Sequence, residues 1–430
     1  MQWLLIGYLF LFIHRPFEVW PILGELHIER AYMLLTLGYF ALVARKRWLP
    51  NIQQTAVFAF AGAVLVCWVL SPWMDKGQPV VEDWFKILVF YLLLVTTITD
   101  ERQLRLVVFA FLVVMAVYML HSLKDFIGGR HVYRMGIARM VGVDTTRGDP
   151  NSFGASIVYA LPLVSTFWVS GTRKMRLFLA GYVALSVLCI LLTGSRSSLL
   201  GLIAWTVFLV LLTRRRVLVL AGVAVLAPLV FMALPESLQN RFETIVDSSV
   251  GPENARESGE GRIVGLFVGL ELWASNPLTG CGPGAWRPAT GSHIESHSLP
   301  GQLLGEMGTL GAISFAALLV GYWINCRRIR RLARLKRFAP DDFLVQLARG
   351  IGTGVVLMLF LGIFGHNLFR HNWLWYGAFL IVAVDCARRR VYLAGPTTQP
   401  PPAYRLVGAR AWLPQRADAR RLAERGPVAA

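Results

Sequence analysis

The stretch "RKMRLFLAGYVALSVLCILLTGSRSSLLGLIAWTVFLVLLTRRR", residues 173–216, decides the fold. It opens and closes on basic clusters. Between them lie two apolar runs near the ~20-residue length that crosses a bilayer as a helix. Almost no loop joins them at residues 193–198. Lys and Arg resist translocation, so both ends of this hairpin are predicted on the cytoplasmic face and the turn on the opposite one.

The rest of the chain repeats the pattern. Of 430 residues, 55% are hydrophobic and only 16% charged, where a soluble globular chain carries roughly 25% charge. Mean hydropathy is +0.54. Apolar runs near 2–14, 30–44, 54–71, 84–98, 103–121, 151–170, 177–193, 197–213, 217–234, 299–324, 350–369 and 372–387 predict about twelve membrane-crossing helices. The fold class is therefore an all-α polytopic membrane protein. The first run has no basic segment before it and no small-residue cleavage site after it, so it reads as an uncleaved helix.

The connections alternate in character. Arg45-Lys46-Arg47, Arg102 with Arg105, residues 173–176, Arg214-Arg215-Arg216, residues 327–337 and Arg388-Arg389-Arg390 all fall on one parity. By the positive-inside rule that face is cytoplasmic, with both termini on it. The formal net charge of +18 follows from this bias and calls for no nucleic acid. Cys67, Cys189, Cys281, Cys326 and Cys386 match no zinc spacing, and with only Cys281 in an outer loop they offer no structural disulfide. Residues 391–430, rich in Pro and Arg, are expected as a disordered cytoplasmic tail, separate from a membrane domain at 1–390.

The outer connections are 14–29, 72–83, 122–150, 193–198, 235–298 and 365–371, and every histidine falls in or beside one of them. Histidine suits proton transfer near neutral pH, although it is also tolerated at interfaces. Outward arginines oppose the topological bias and need a reason. Arg196, in the 193–198 turn, must lie at the membrane surface or point into the bundle, which is costly unless paired or wet. A bound anion would neutralise it, and so would snorkelling to lipid phosphate.

The largest outer connection, 235–298, contains "ESGEGRIVGLFVGLELW", residues 257–273. Ser258 is expected to cap an amphipathic helix with Arg262 in its first turn, where free N–H groups favour anions. "NPLTGCGPGAWRP", residues 276–288, reads as an irregular turn where backbone can approach a ligand closely. Arg241, Arg256 and Arg287 lie in the same connection. In "TTRGDPNSFGASIVYALPL", residues 145–163, Asp149-Pro150-Asn151 signals a helix start, with Arg147 just outside it and Arg130, Arg134 and Arg139 upstream. Asp149 and Asn151 serve either as caps or as ligand contacts. The pattern favours an anionic ligand, a phosphate above all, because the planar guanidinium binds phosphate oxygens in pairs and stays charged.

"SHIESHSLPGQLLGEMG", residues 292–308, adds His293, Glu295 and His297 just before an apolar helix. Three readings stand: a metal site, a catalytic base, or interfacial polarity. The spacing is not H-E-x-x-H, and Pro300 argues against one helix through all three. His297, nearest the helix, is the stronger base candidate, with Glu295 placed to orient it.

These pieces in this order resemble the O-antigen ligase and polymerase superfamily, polytopic glycosyltransferases of the GT-C type in bacterial envelopes. The matching stretches are Asp149 to Phe153, "TGSRSSLLG", "SGEGR", "NPLTGCGPGAW" and "SHSLPGQLLGEMGTLG", spanning roughly residues 145–325. This chain has Ser298 where members often have Asn, and Leu266 where a Trp is common. Its "HRPFEVWPILG", residues 14–24, looks like the opening of some exopolysaccharide-linked members.

The resemblance implies an inner-membrane enzyme with one large periplasmic loop and a periplasmic active site. It implies transfer of a glycan from undecaprenyl diphosphate to an acceptor hydroxyl on lipid A–core, with inversion and without metal or other cofactor. On the match, Arg196 and Arg262 hold the diphosphate and His297 is the base. Arg147, Asp149, Asn151, Arg287, His293 and Glu295 are the further substrate-binding candidates. Trp73, Trp273 and Trp286 are placed either to stack on sugars or to anchor at the interface. Two other readings remain: a polymerase that uses the same donor and a growing polysaccharide as acceptor, and a transporter of anionic lipids. A transporter is expected to show paired, broken-helix halves, and no such repeat is visible in the sequence.

Overall fold

The computed structural model describes residues 1–134, 136–144, 148–213, 215–245, 254–293, 295–335 and 338–393, leaving out the side chains of Arg134 and residues 254–262. Met1–Leu393 form one compact unit. In chain order the helices begin with α1 (Gln2–His14), α2 (Pro16–Val19), α3 (Pro21–Glu25), α4 (Ile28–Leu42), α5 (Ile52–Val69), α6 (Met74–Thr97) and α7 (Glu101–Ile127). A two-stranded antiparallel ribbon follows, β1 (Val132–Arg134) against β2 (Ile137–Arg139). Then come α8 (Pro150–Ala160), α9 (Val164–Trp168), α10 (Arg173–Leu192), α11 (Arg196–Leu212), α12 (Arg216–Met232), α13 (Glu236–Glu243), α14 (Asn254–Ser275), α15 (Trp286–Thr290), α16 (Leu299–Leu335), α17 (Phe343–Gly362) and α18 (Asn372–Leu393).

Among the described residues, five helices are long and apolar enough to cross a membrane: α5, α7, α10, α16 and α17. Shorter apolar helices include α1, α11 and α12. No residue of α12 is buried, yet it is apolar all round. Such a helix is stable where its surroundings are lipid. The chain is a helical membrane protein.

Every predicted run contains a helix, but several boundaries moved. Pro162 interrupts the run at 151–170, so α8 and α9 meet across a 3-10 turn at Leu161–Leu163; proline removes a backbone donor and crowds the preceding turn. The run at 350–369 is α17, shifted towards the N-terminus because the Asp342 carboxylate accepts the Leu344 N–H and caps it early. α18 continues to Leu393, past the expected tail boundary; 394–430 lie outside the described residues.

α18 runs through the centre, buried from Asn372 to Val384. Its neighbours are fixed by polar bridges within the apolar core. Tyr376 donates to the Tyr159 carbonyl at 2.7 Å, and the Tyr322 hydroxyl on α16 donates to the Trp373 carbonyl at 2.6 Å. Asn325 on α16 donates to Asn51 at 2.9 Å and to Gln53 at 2.8 Å. Interhelical bonds of this kind contribute roughly 0.6 kcal/mol each in a bilayer, so their larger effect is on register.

Three of the basic connections, at residues 45–47, 101–105 and 388–390, share one end. Arg47 pairs with Asp385 at 2.7 Å, Arg389 pairs with the same carboxylate at 2.8 Å, and Arg390 bridges Glu101 and Asp342. The histidines gather at the opposite ends of the same helices. His14 and His121 are hydrogen-bonded at 2.9 Å, and His371 packs edge-on against Phe12.

Candidate functional site

At the histidine end, Asp149 caps α8. Its Oδ1 accepts the N–H groups of Asn151 at 3.0 Å and Ser152 at 3.2 Å. The Asn151 side chain in turn accepts from Arg139 at 2.8 Å, while Arg139 Nε donates to the Thr193 carbonyl at 2.7 Å. Arg139 is buried. It ties the start of α8 to the turn that precedes α11. The two helices touch here: a Cβ on Gly154 would lie 2.4 Å from Ser198 Oγ.

The turn holds Arg196 at the first position of α11. Ser195 caps that helix by accepting the Ser198 N–H at 3.3 Å. Arg196 Nη1 donates to Thr244 Oγ1 at 3.2 Å, and Arg241 Nε donates to the Gly194 carbonyl at 2.6 Å. Two guanidinium groups therefore flank the 193–198 turn and the C-terminus of α13. Arg241 had no assigned role in the sequence; α13 brings it to Arg196.

The histidine segment is folded on itself. Ser296 Oγ donates to the Ser298 carbonyl at 3.0 Å, and Ser298 Oγ accepts the Gly301 N–H at 3.3 Å. Ser298 is thus the N-cap of α16. Asn, common there in the resembling family, is also a preferred N-cap. The His297 ring lies 5.9 Å from that of His366.

His366 donates to the Ser296 carbonyl and lies in the fields of Arg370, His297 and Asp149. Arg370 also donates to Ser156 Oγ on α8 at 3.2 Å. His366 is an exposed residue, with Arg370, His297 and the Ser296 backbone around its ring. Lost solvation, then Arg370, then His297 lower its pKa to about 4, against the opposing pull of Asp149 and the Ser296 carbonyl. Near neutral pH it is an uncharged ring beside His297.

The other members of the segment diverge. His293 is exposed. Glu295 accepts from Arg287 Nε at 2.8 Å; burial raises its carboxyl and the Arg287 cation opposes this. Arg287, expected to meet substrate, is engaged by that carboxylate.

α14 departs from expectation. It begins at Asn254, so Ser258 is not its cap and Arg262 stands beyond its first turn. The argument from free N–H groups at that turn does not apply. Nor is its packing face the predicted apolar one: Ile263 and Phe267 are exposed while Gly265 and Gly269 are buried. These two glycines meet Gly301 and Gly305 of α16. A Cβ on Gly269 would lie 2.4 Å from the Gly301 carbonyl oxygen, and one on Gly265 would lie 3.4 Å from the His297 nitrogen. Arg262 precedes Gly265 by about one helical turn. Its side chain, and Arg147 entirely, lie outside the described residues.

The Gly/Pro-rich stretch approaches backbone closely, but the backbone is that of α16. Gly308, with φ 58° and ψ −158°, breaks that helix. Such a break leaves buried peptide groups without helical partners, and away from water each would cost several kcal/mol. The stretch satisfies them. Cys281 N–H donates to the Gly305 carbonyl at 2.8 Å, and Gly282 N–H to that of Glu306 at 2.9 Å. Thr309 and Leu310 N–H groups donate to the carbonyls of Pro277 and Leu278. The Glu306 carboxylate accepts from the backbone of Gly284 and Trp286.

The fold thus groups Asp149, His297, His366 and Arg370, and links Asn151 through Arg139 to the turn that carries Arg196, with Arg241 beside that turn. The signal for His366 and Arg370 was present in "FGHNLFRHN", residues 364–372, a turn between apolar helices that carries three ionisable side chains. No curated protein matches the chain. The family model described as O-Antigen ligase matches residues 181–316, about a third of the chain, from α10 through the Arg196 turn and the histidine segment into α16. Over those residues the chain is similar to the O-antigen ligase family, in agreement with the resemblance that its motifs carry.

Proposed function

We propose that this protein is an O-antigen ligase-type glycosyltransferase of the bacterial inner membrane. It moves a glycan from undecaprenyl diphosphate to a hydroxyl of lipid A–core, with twelve spans and with residues 235–298 on the periplasmic side. The acceptor oxygen attacks the anomeric carbon as the bond from that carbon to the diphosphate oxygen breaks, with inversion. Undecaprenyl diphosphate leaves, and His297 takes the acceptor proton. Arg196, Arg241 and Arg262 neutralise charge gathering on the leaving group. Diphosphate already departs readily, so the reading needs no metal.

The observation that supports this reading is a chain of contacts at the histidine end: His366 lies beside His297, Arg370 and Asp149, and Arg139 joins Asn151 to the turn that carries Arg196. An anionic leaving group and a proton acceptor are thereby served on one face. The test is transfer by purified full-length protein from a defined undecaprenyl diphosphate glycan, with lipid A–core or a second donor molecule as acceptor. Product on lipid A–core, undiminished in excess EDTA, supports the ligase. Product only on the second donor identifies a polymerase instead. Movement of the lipid across liposomes with glycosidic bonds intact overturns both.

A further inference from the structure

A cavity of about 890 Å³ opens between the start of α1, the first turns of α7 and the bend joining α9 to α10. It lies far from the candidate site. α10 starts beside it at Arg173 and ends at the 193–198 turn, roughly 30 Å away at 1.5 Å per residue. That distance matches the hydrocarbon thickness of a bilayer.

The cavity is graded along α7. Arg102, Leu106 and Phe109 line it from α7, and their spacing puts them on one helical face. Phe109 is roughly 10 Å deeper than Arg102 along the axis. Phe167 and Met175 complete the apolar depth opposite, while Trp3, largely exposed, stands at the mouth. The charges at the mouth are unequal. Arg105 is paired with Glu101 at 3.0 Å and lies over the Phe343 ring. The Asp100 carboxylate is engaged by the Gln103 N–H at 2.8 Å. Arg102 is exposed and, among the described residues, has no ion pair.

A cation above an apolar channel at a membrane face fits one ligand chemistry. We propose that this cavity binds an anionic glycerophospholipid of that leaflet, its phosphate on Arg102 and an acyl chain along Leu106 and Phe109. The site is separate from the transfer reaction and independent of it.

The test is lipid retention by the full chain in neutral detergent, read by native mass spectrometry. The probes are palmitoyl-oleoyl phosphatidylglycerol, phosphatidylcholine with the same chains, and inorganic phosphate. Phosphatidylglycerol is expected to be retained roughly fivefold over phosphatidylcholine. Arg102→Gln abolishes that preference, and Leu106→Trp, which fills the acyl path, lowers retention of both lipids. Equal retention of the two lipids by the unaltered chain, or variants that change nothing, overturns the proposal. Displacement of the lipid by inorganic phosphate also overturns it, making the site one for a small anion.

Discussion

His366 holds the backbone of Ser296 by a ring N–H while its own ring lies 5.9 Å from that of His297. One histidine thus positions the segment that carries the other. His366→Ala is expected to lower kcat roughly ten- to a hundredfold by displacing the proposed base, with KM for the donor little changed. His366→Asn keeps a donor for the Ser296 carbonyl and should recover part of the loss. Equal defects in the two variants would remove the positioning role.

The same ring sets a pH dependence of stability. Its pKa is about 4 in the folded chain against an ordinary 6.5. Between those values the unfolded chain holds the extra proton, so this contribution is present above pH 6.5 and lost as pH falls towards 4. Thermal unfolding in detergent across that window should show a shallower slope for His366→Asn than for the parent. Identical slopes would mean that the ring stays solvated.

Arg139 joins Asn151 and Thr193 from a buried position. Arg139→Ala leaves the Asn151 oxygen and the Thr193 carbonyl short of a donor, a cost of about 2–3 kcal/mol. It also frees the Arg196 turn from α8. Lysine carries the charge but not the two-pronged geometry, so Arg139→Lys should recover little activity. Activity and melting temperature of the two variants check this, and full rescue by lysine would contradict it.

Gly269 lies against the Gly301 backbone. Gly269→Ala forces α14 away from α16 and costs about 1–3 kcal/mol of packing. Since α14 carries Arg262 and α16 follows His297, transfer should fall beyond what the shift in melting temperature accounts for. An unaffected rate would separate α14 from the site.

Much of this was legible in the sequence, because lipid makes apolar length and basic flanks speak directly. The 173–216 hairpin, the Asp149 cap and the Arg196 turn all stand where the residues put them. α14 was misread because its packing face is made of glycines, which carry no hydropathy signal. The part "NPLTGCGPGAW" plays in satisfying α16 was hidden, because the break at Gly308 that it serves cannot be seen in an apolar run. The pairing of His366 with His297 joins segments distant in sequence, and only the folded bundle supplies it.

The most direct test of the central claim compares His297→Ala with the parent in single-turnover transfer, with retention of undecaprenyl diphosphate glycan measured on the same samples. The account predicts donor retention near the parent level and a rate lower by about 10²–10⁴. A rate near the parent's, with the donor bound, would contradict it.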